Sequence, residues 1–450
     1  MPIDPVRSAV LHRFLDAPYP NIVDAAGVWL TTAEGERILD ACSGGAMAVT
    51  IGYGRNELAE VWASQAERLP YVYDEQFANS PRDELAARLV ERAAPRMPWV
   101  RFATGGSEAN EAALRLVRQH HVERGEDQRW LVVSPAQAYH GSTMGTLALT
   151  GRPRTLHHPF EPYLVAHRHI PPATERLGDP SGEAALAALD AILEEAGDQV
   201  AAVFMEPVSA AALPGYSPPA RFLKGVAERR ERYGFLVVFD EVVTGLGRVG
   251  TWLAADQLPL APDVVTLGKG LGGGYAPISA MLATDAVVEP IREGSGYFDL
   301  GHTWDGAPLS AAVGLAVLDI LEREGLVDRV AAIGDGFVRE VQEAVGGIDL
   351  VGEVRGRGLL VGIELVDPRD GHSILPAELD AAALADDVCV EHGLLVTSSH
   401  PNADGMASDQ MLLAPAFVVT EAERAQMVER LAGALVDLEG RLLERLKETS

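Results

Sequence analysis

Short apolar runs alternate through the middle of the chain with stretches whose apolar residues recur at helical spacing. Residues 130–133, 201–205, 235–239 and 264–267 are four such runs, and each follows a helix-like segment. Short runs of this length, apolar but for Thr266, are read as buried strands. The connecting segment 219–233 has Pro219 at its start and Gly234 just past its end, the usual places of these residues in a helix. Repeated alternation of this kind predicts a mostly parallel sheet covered by helices on both faces. In such sheets ligands sit beyond the carboxyl ends of the strands.

The texture changes after residue 324. Two helical patterns, 309–324 and 327–345, lead into a strand-like stretch, 354–366, interrupted by Arg355-Gly356-Arg357-Gly358. Helix, strand and a last helix follow, the last opening on Thr420-Glu421-Ala422-Glu423, a capping-box pattern. The first 60 residues are loop- and strand-like, with turn signals at Gly35, Gly44, Gly45 and Gly52. This predicts an N-terminal segment, 1–60, packing with a small domain, a large domain over 61–325, and the small C-terminal domain over 326–450. No internal repeat or low-complexity stretch stands out.

Composition narrows the function classes. A chain of 450 residues, 47% of them hydrophobic, can bury a large core and a smaller companion. Its 37 Lys+Arg against 65 Asp+Glu give a net charge of −28, which repels nucleic acid and anionic membrane; neither is an expected partner. Two cysteines, Cys42 and Cys389, make neither a disulfide framework nor a cysteine-rich metal site, so no metal is expected. Residues 1–15 lack a basic start and an unbroken apolar core, and no apolar stretch approaches the ~20 residues that span a bilayer. A cytoplasmic protein is expected.

Candidate chemistry sits at strand ends. The run 235–239 finishes in Asp240, and 264–267 finishes in Gly268-Lys269-Gly270. Alone, Asp240 reads equally well as a cap, and Lys269 as a turn lysine. Together they suit one cofactor: a lysine amine forms a Schiff base with an aldehyde, and a carboxylate keeps a pyridine nitrogen protonated as an electron sink. Glycines beside the lysine allow close backbone approach. A phosphate would need its own cradle. Thr104-Gly105-Gly106-Ser107 turns into a helix with apolar positions Ala109, Ala113, Leu116 and Val117, so free amides and the Ser107 hydroxyl form an anion site. No Gly-Lys-Ser/Thr follows, which excludes a Walker loop. Tyr139 and Val242 are candidates for the two faces of a flat ring. Glu206, at the end of 201–205, either orders a neighbour or caps a loop. Gly270-Leu271-Gly272-Gly273-Gly274 lacks the setting of a dinucleotide fingerprint.

In this order the motifs resemble the class III (ω-amino, subgroup II) aminotransferases of the aspartate-aminotransferase fold, fold type I. The resemblance runs from Gly27-Val28-Trp29-Leu30 through Gly106-Ser107-Glu108-Ala109-Asn110, Tyr139-His140-Gly141 and Glu206-Pro207-Val208. It continues over residues 240–248, Thr266-Leu267-Gly268-Lys269-Gly270 and Gly301-His302-Thr303-Trp304. It implies an α/β large domain with a mostly parallel seven-stranded sheet, a smaller α+β domain, and pyridoxal 5'-phosphate as cofactor. By the same resemblance Lys269 carries the cofactor and shuttles the proton, and Asp240 pairs with the ring nitrogen. Gly106 and Ser107 bind phosphate, Tyr139 stacks, His140 and Val242 adjoin the ring, and Glu206 stands near its oxygen side. Thr303 would reach the phosphate of a neighbouring subunit, implying a homodimer with shared sites. Trp29, Tyr73 and Phe77 are candidates for the substrate pocket.

The implied reaction moves an amino group from a small-molecule amine or ω-amino donor to a carbonyl acceptor, an oxo acid or an aldehyde. An aminomutase or amino-acid racemase on the same fold is the alternative, and a noncatalytic binding protein is disfavoured by the presence of Lys269. In one place the sequence departs from the family. Members that use glutamate carry an arginine before an Ala-Pro segment near the C-terminus, where this chain has Leu412-Leu413-Ala414-Pro415, and residues 394–423 hold no arginine or lysine. Arg152, Arg154 and Arg168 are the candidates to replace it.

Overall fold

The computed structural model describes residues 9–13, 15, 19–93, 97–151, 158–400 and 407–448. Strands β1 (Ile22–Ala26), β2 (Trp29–Thr32) and β3 (Arg37–Asp40) form an antiparallel meander. A seven-stranded sheet follows, built from β4 (Trp99–Ala103), β5 (Leu131–Pro135), β6 (Arg168–Ile170), β7 (Val200–Met205), β8 (Leu236–Asp240), β9 (Val264–Leu267) and β10 (Ser279–Ala283). Its order is β4-β10-β9-β8-β7-β5-β6. The run β9-β8-β7-β5-β6 is parallel, and β10 lies antiparallel to β9 and β4. This is the α/β architecture expected from the alternation of apolar runs and helices.

The unbroken apolar runs are explained by two covered faces. Alternate residues of one strand enter different cores, as the period of two requires. Val203 and Met205 of β7, with Val237 and Phe239 of β8, pack against Leu186, Leu189, Phe222 and Val226 of helices Glu183–Ala196 and Ala220–Tyr233. Ala202, Phe204 and Val238 point the other way, onto Ala112, Ala113, Leu116 and Val117 of helix Gly106–Glu123. Charged groups emerge where these strands stop: Asp240 ends β8, Glu206 follows β7, and Lys269 follows β9 by two residues.

The smaller sheet contains β11 (Val351–Arg357), β12 (Leu360–Leu365), β14 (Thr397–Ser399) and β15 (Gln410–Leu413), antiparallel throughout in the order β11-β12-β15-β14. The stretch 354–366, read from sequence as one interrupted strand, is thus the turn and flanks of a hairpin. Gly358 at φ +60° makes the reversal, while Leu359 beside it is buried. β13 (Leu394–Leu395) instead pairs in parallel with β3. Gly325, at φ +59°, separates helices Pro308–Arg323 and Leu326–Val345. The last helix, Glu421–Glu448, opens with the reciprocal bonds of a capping box: Glu423 N donates to Thr420 Oγ1 (3.2 Å) and Thr420 N to Glu423 Oε2 (2.9 Å). Among the described residues no helix is long and apolar enough to cross a membrane, and no cluster of potential metal ligands occurs.

Candidate active site

The carboxyl ends of β7, β8 and β9 and the start of helix Gly106–Glu123 enclose a cavity of about 130 Å³. Its lining includes Gly106, Ser107, Tyr139, His140, Glu206, Asp240, Val242 and Lys269. These eight sequence candidates therefore meet in one place. Thr303, Trp29, Tyr73 and Phe77 are not among the lining residues.

Lys269 has φ +39°, a left-handed conformation that costs a non-glycine residue roughly 1–3 kcal/mol and that tertiary structure must hold in place. It follows β9 directly through Gly268, where an added Cβ would come within 3.1 Å of Val242 Cγ1. Burial, the largest influence, lowers the Lys269 pKa from its ordinary 10.5, and the nearby carboxylate of Asp240 is the chief influence opposing that shift. The neutral amine, the nucleophilic form, is therefore easier to reach than in water.

Asp240 is fixed by three donors. Asn110 Nδ2 (2.8 Å) and His140 Nδ1 (2.9 Å) both donate to Oδ2, and Val242 N donates to Oδ1 (3.1 Å). Since a carboxylate only accepts, His140 must carry its proton on Nδ1. The His140 ring meets Phe204 edge-on, with centroids 4.7 Å apart. Asn110 is itself oriented, because Thr266 Oγ1 donates to its Oδ1 (2.6 Å) and its Nδ2 also reaches His140 O (2.7 Å). Asn110 and Thr266 were given no role from sequence. The available signal was a buried polar residue inside otherwise apolar helix and strand positions.

Glu206 lines the same cavity. It accepts from Tyr139 N (3.3 Å), Ser209 Oγ (3.1 Å) and Ala210 N (3.1 Å), and burial raises its pKa above 4.5. It thereby fixes the backbone of Tyr139. At the helix start, Ser142 N donates to Ser107 Oγ (3.1 Å). A Cβ on Gly106 would lie 2.7 Å from Val242, and one on Gly141 would lie 2.5 Å from Ser107 Oγ, so both positions require glycine. An amine, a carboxylate and a helix start with hydroxyl and amide donors around one small cavity match the aldehyde, ring nitrogen and phosphate of pyridoxal phosphate. The residues present fit that group.

The neighbour of Asp240 does different work. Glu241 is fully buried, accepts from Ala254 N (2.6 Å), Ala255 N (2.9 Å) and Thr244 Oγ1 (3.0 Å), and is pushed up to about 7 by burial. Glu241→Gln would turn an amide donor toward at least one of these donors. The expected result is a loss of about 1–3 kcal/mol in the unfolding free energy, read by denaturant melts. Because the folded pKa lies above the ordinary 4.5, the native state holds this proton longer than the unfolded chain. Its contribution therefore favours the fold below about pH 4.5 and is lost as pH rises toward 7.

Leu412 occupies the position where the family arginine was sought. It is buried in β15, opposite Gly362 and Thr397, in an apolar cluster with Cys42, Met47, Val208, Ala210 and Ala414. Val208 also lines the cavity, as does Val243, which packs against that cluster. Among the described residues no arginine lines the cavity. Arg248 is fully buried, but its guanidinium donates to Leu359 O (3.0 Å), Pro415 O (2.6 Å) and Ser43 Oγ (3.1 Å), and burial lowers its pKa to about 10. Arg168 is exposed and paired with Glu195 (3.0 Å); Arg152 and Arg154 lie outside the described residues.

The pocket candidates do not line this cavity within the single subunit. Trp29 Nε1 donates to Glu423 (3.0 Å), with Arg37 over its ring at 4.2 Å, so it ties the N-terminal meander to the last helix. Tyr73 is half-buried, while Phe77 and Thr303 are exposed.

The family model described as Aminotransferase class-III matches residues 15–435. A probable aminotransferase of Mycobacterium tuberculosis is 41% identical over 77% of this chain and 75% of its own length. The hypotaurine/taurine–pyruvate aminotransferase of Paracoccus denitrificans is 31% identical over 94% of this chain and 92% of its own. An amine transaminase from an uncultivated Pseudomonas species, solved in its pyridoxal-phosphate-bound form, superposes with a TM-score of 0.86. It is 30% identical, covering 96% of this chain and 98% of the solved one.

Proposed function

The chain belongs to the class III aminotransferases, fold type I enzymes that use pyridoxal phosphate, and from that membership we propose how its own residues carry the transfer. It is a transaminase, and the membership does not favour the mutase or racemase alternative. The observation that carries the residue assignment is the meeting of Lys269, Asp240 and the Gly106–Ser107 helix start in one cavity. When bound, pyridoxal phosphate supplies an electrophilic carbonyl and a pyridinium electron sink, which let an amino group leave one carbon skeleton and join another.

The protein's part is as follows. Lys269 Nζ would hold the cofactor covalently and, as an acid–base group, would move the proton at the substrate carbon. Asp240, oriented by Asn110 and His140, keeps the ring nitrogen charged. Gly106 N–H and Ser107 would hold the phosphate, Tyr139 and Val242 would bound the ring, and Glu206 holds the Tyr139 backbone in place. Borohydride reduction of the yellow protein followed by peptide mapping tests the assignment; a label on any other lysine overturns it.

The donor in this reading is an amine or ω-amino compound and the acceptor an oxo acid or aldehyde, in line with the hypotaurine/taurine–pyruvate aminotransferase relative and the amine transaminase structure. An arginine fork on a carboxylate contributes roughly 1.5–3 kcal/mol, about ten- to a hundredfold in specificity. With an apolar cluster around Leu412, glutamate is expected to convert the cofactor at least about tenfold more slowly than the best amine lacking an α-carboxylate. Single-turnover rates decide this. Equal rates would refute the argument from Leu412 and direct mutation to Arg152 and Arg154.

Two subunits with shared sites are part of the proposal, since Thr303 is absent from its own subunit's cavity. Sedimentation at assay concentration should show a dimer, and an active monomer would exclude shared sites. The proposal places the two domains on either side of residue 325, with residues 1–60 on the small domain. It also places the enzyme in the cytoplasm, consistent with Cys42 and Cys389 being free thiols.

A further inference from the structure

The turn that carries Thr303 is pinned on both sides to the strand–turn–helix unit that forms its own subunit's phosphate cradle. On one side, Glu108 Oε2 accepts from Thr104 N (3.0 Å), Gly105 N (2.9 Å) and the Thr104 hydroxyl, capping the helix that begins at Gly106. Its other oxygen, Oε1, lies 3.2 Å from His302 Nε2. Trp304 N donates to His302 Nδ1 (3.1 Å). That backbone donor requires a lone pair on Nδ1, so the ring proton sits on Nε2 and points at Glu108. The bonds to Thr104 and Gly105, with that to His302, hold the Glu108 carboxyl down to about 2, against the opposing effect of burial.

On the other side, Asp305 is almost fully buried. Its Oδ1 accepts from Phe102 N (3.0 Å), and Arg101 Nε stands 2.6 Å from Oδ2. Arg101 also donates to Leu300 O (2.6 Å) and pairs with Asp74 at 3.4 Å. Asp305 N closes the turn by donating to His302 O (3.0 Å). Between the two anchors Thr303 is exposed, and its hydroxyl has no hydrogen-bond partner among the described residues. So many bonds around an exposed, unengaged threonine are more than a solvent-facing turn requires.

We propose that Glu108, His302 and Asp305 are positioning residues that preset the turn presenting Thr303, so that the cradle each subunit keeps also fixes the threonine it lends. This rests on the shared-site dimer proposed above. The binding consequence is direct: a preordered hydroxyl loses less conformational freedom when it meets a phosphate, and releasing the turn weakens cofactor binding in the other subunit.

The test uses cofactor-free dimer titrated with pyridoxal phosphate, following the visible absorbance of lysine-bound cofactor, with sedimentation alongside. His302→Ala and Asp305→Ala should each weaken cofactor affinity about tenfold without dissociating the dimer. His302→Gln, whose amide offers both a donor and an acceptor, should retain most of the affinity. In a mixed dimer of one His302→Ala subunit and one Lys269→Ala subunit, the lysine-bearing site faces an unaltered turn. Its affinity should return to the wild-type value. If it stays weak, His302 acts within its own subunit and the inference falls. It falls equally if His302→Ala and Asp305→Ala bind as wild type while Thr303→Ala does not. The same pairing with Thr303→Ala tests the dimer reading separately. Recovery for Thr303 but not for His302 removes the inference alone, and recovery for neither removes the reading beneath it.

Discussion

Lys269→Ala is expected to leave a folded protein that still takes up pyridoxal phosphate without a covalent bond, and whose turnover falls roughly ten-thousandfold or more. Two functions disappear together. The amine is the covalent anchor, and burial, which lowers its pKa from the ordinary 10.5, makes its neutral, proton-accepting form easier to reach than in water. Alanine also relieves little of the backbone strain, because φ +39° disfavours any residue with a Cβ. The fold therefore keeps its shape while the chemistry stops. The measurement is single-turnover conversion of a donor amine with purified variant, alongside a cofactor-binding titration. A small primary amine added to the solution should restore a fraction of the proton transfer. Retention of more than about one per cent of wild-type turnover without added amine would mean that another group moves the proton.

The parts legible in the sequence are those where local pattern and long-range structure agree. Runs 235–239 and 264–267 are apolar at every residue but Thr266, so they had to lie inside a covered sheet. The first polar residues after them had to stand at its carboxyl edge. That reasoning alone brings Asp240 and Lys269 to the same rim, and β8 and β9 are adjacent and parallel. The cradle at Gly106 was legible for a similar reason: a strand, a glycine turn and an amphipathic helix leave the first amides of the helix free.

What escaped depends on partners far away in the chain. Trp29 looks from its neighbours like any aromatic on a strand, and nothing local says that its indole will meet Glu423, 394 residues on. The hairpin at Gly358 was read as a broken strand because its reversal contains a buried leucine instead of polar turn residues. Asn110 and Thr266 were visible as polar residues in apolar surroundings, but only the assembled sheet shows that they form one chain of donors ending on Asp240. Thr303 presents the opposite problem, because the site it is proposed to serve belongs to another copy of the chain.

That chain of donors makes Asp240 the more informative residue to change without altering its size. In Asp240→Asn the side-chain oxygen can keep the bonds from Asn110 and His140, but the new amide then faces Val242 N, a donor. The cost to folding should be about 1–3 kcal/mol, visible in melts of the cofactor-free protein. The catalytic cost should be larger. A neutral amide does not hold a pyridine nitrogen protonated, and the electron sink matters chiefly in the transition state. On that basis kcat is expected to fall roughly a hundred- to a thousandfold, the scale on which a single group aimed at developing charge contributes. Cofactor affinity should fall far less, because the phosphate cradle at Gly106 and Ser107 and the covalent bond at Lys269 are untouched. The discriminating measurement is therefore the split between kcat and the cofactor dissociation constant, taken at the same pH. Equal losses in both would make Asp240 a binding residue only, and a near-normal kcat would assign the ring nitrogen to some other group.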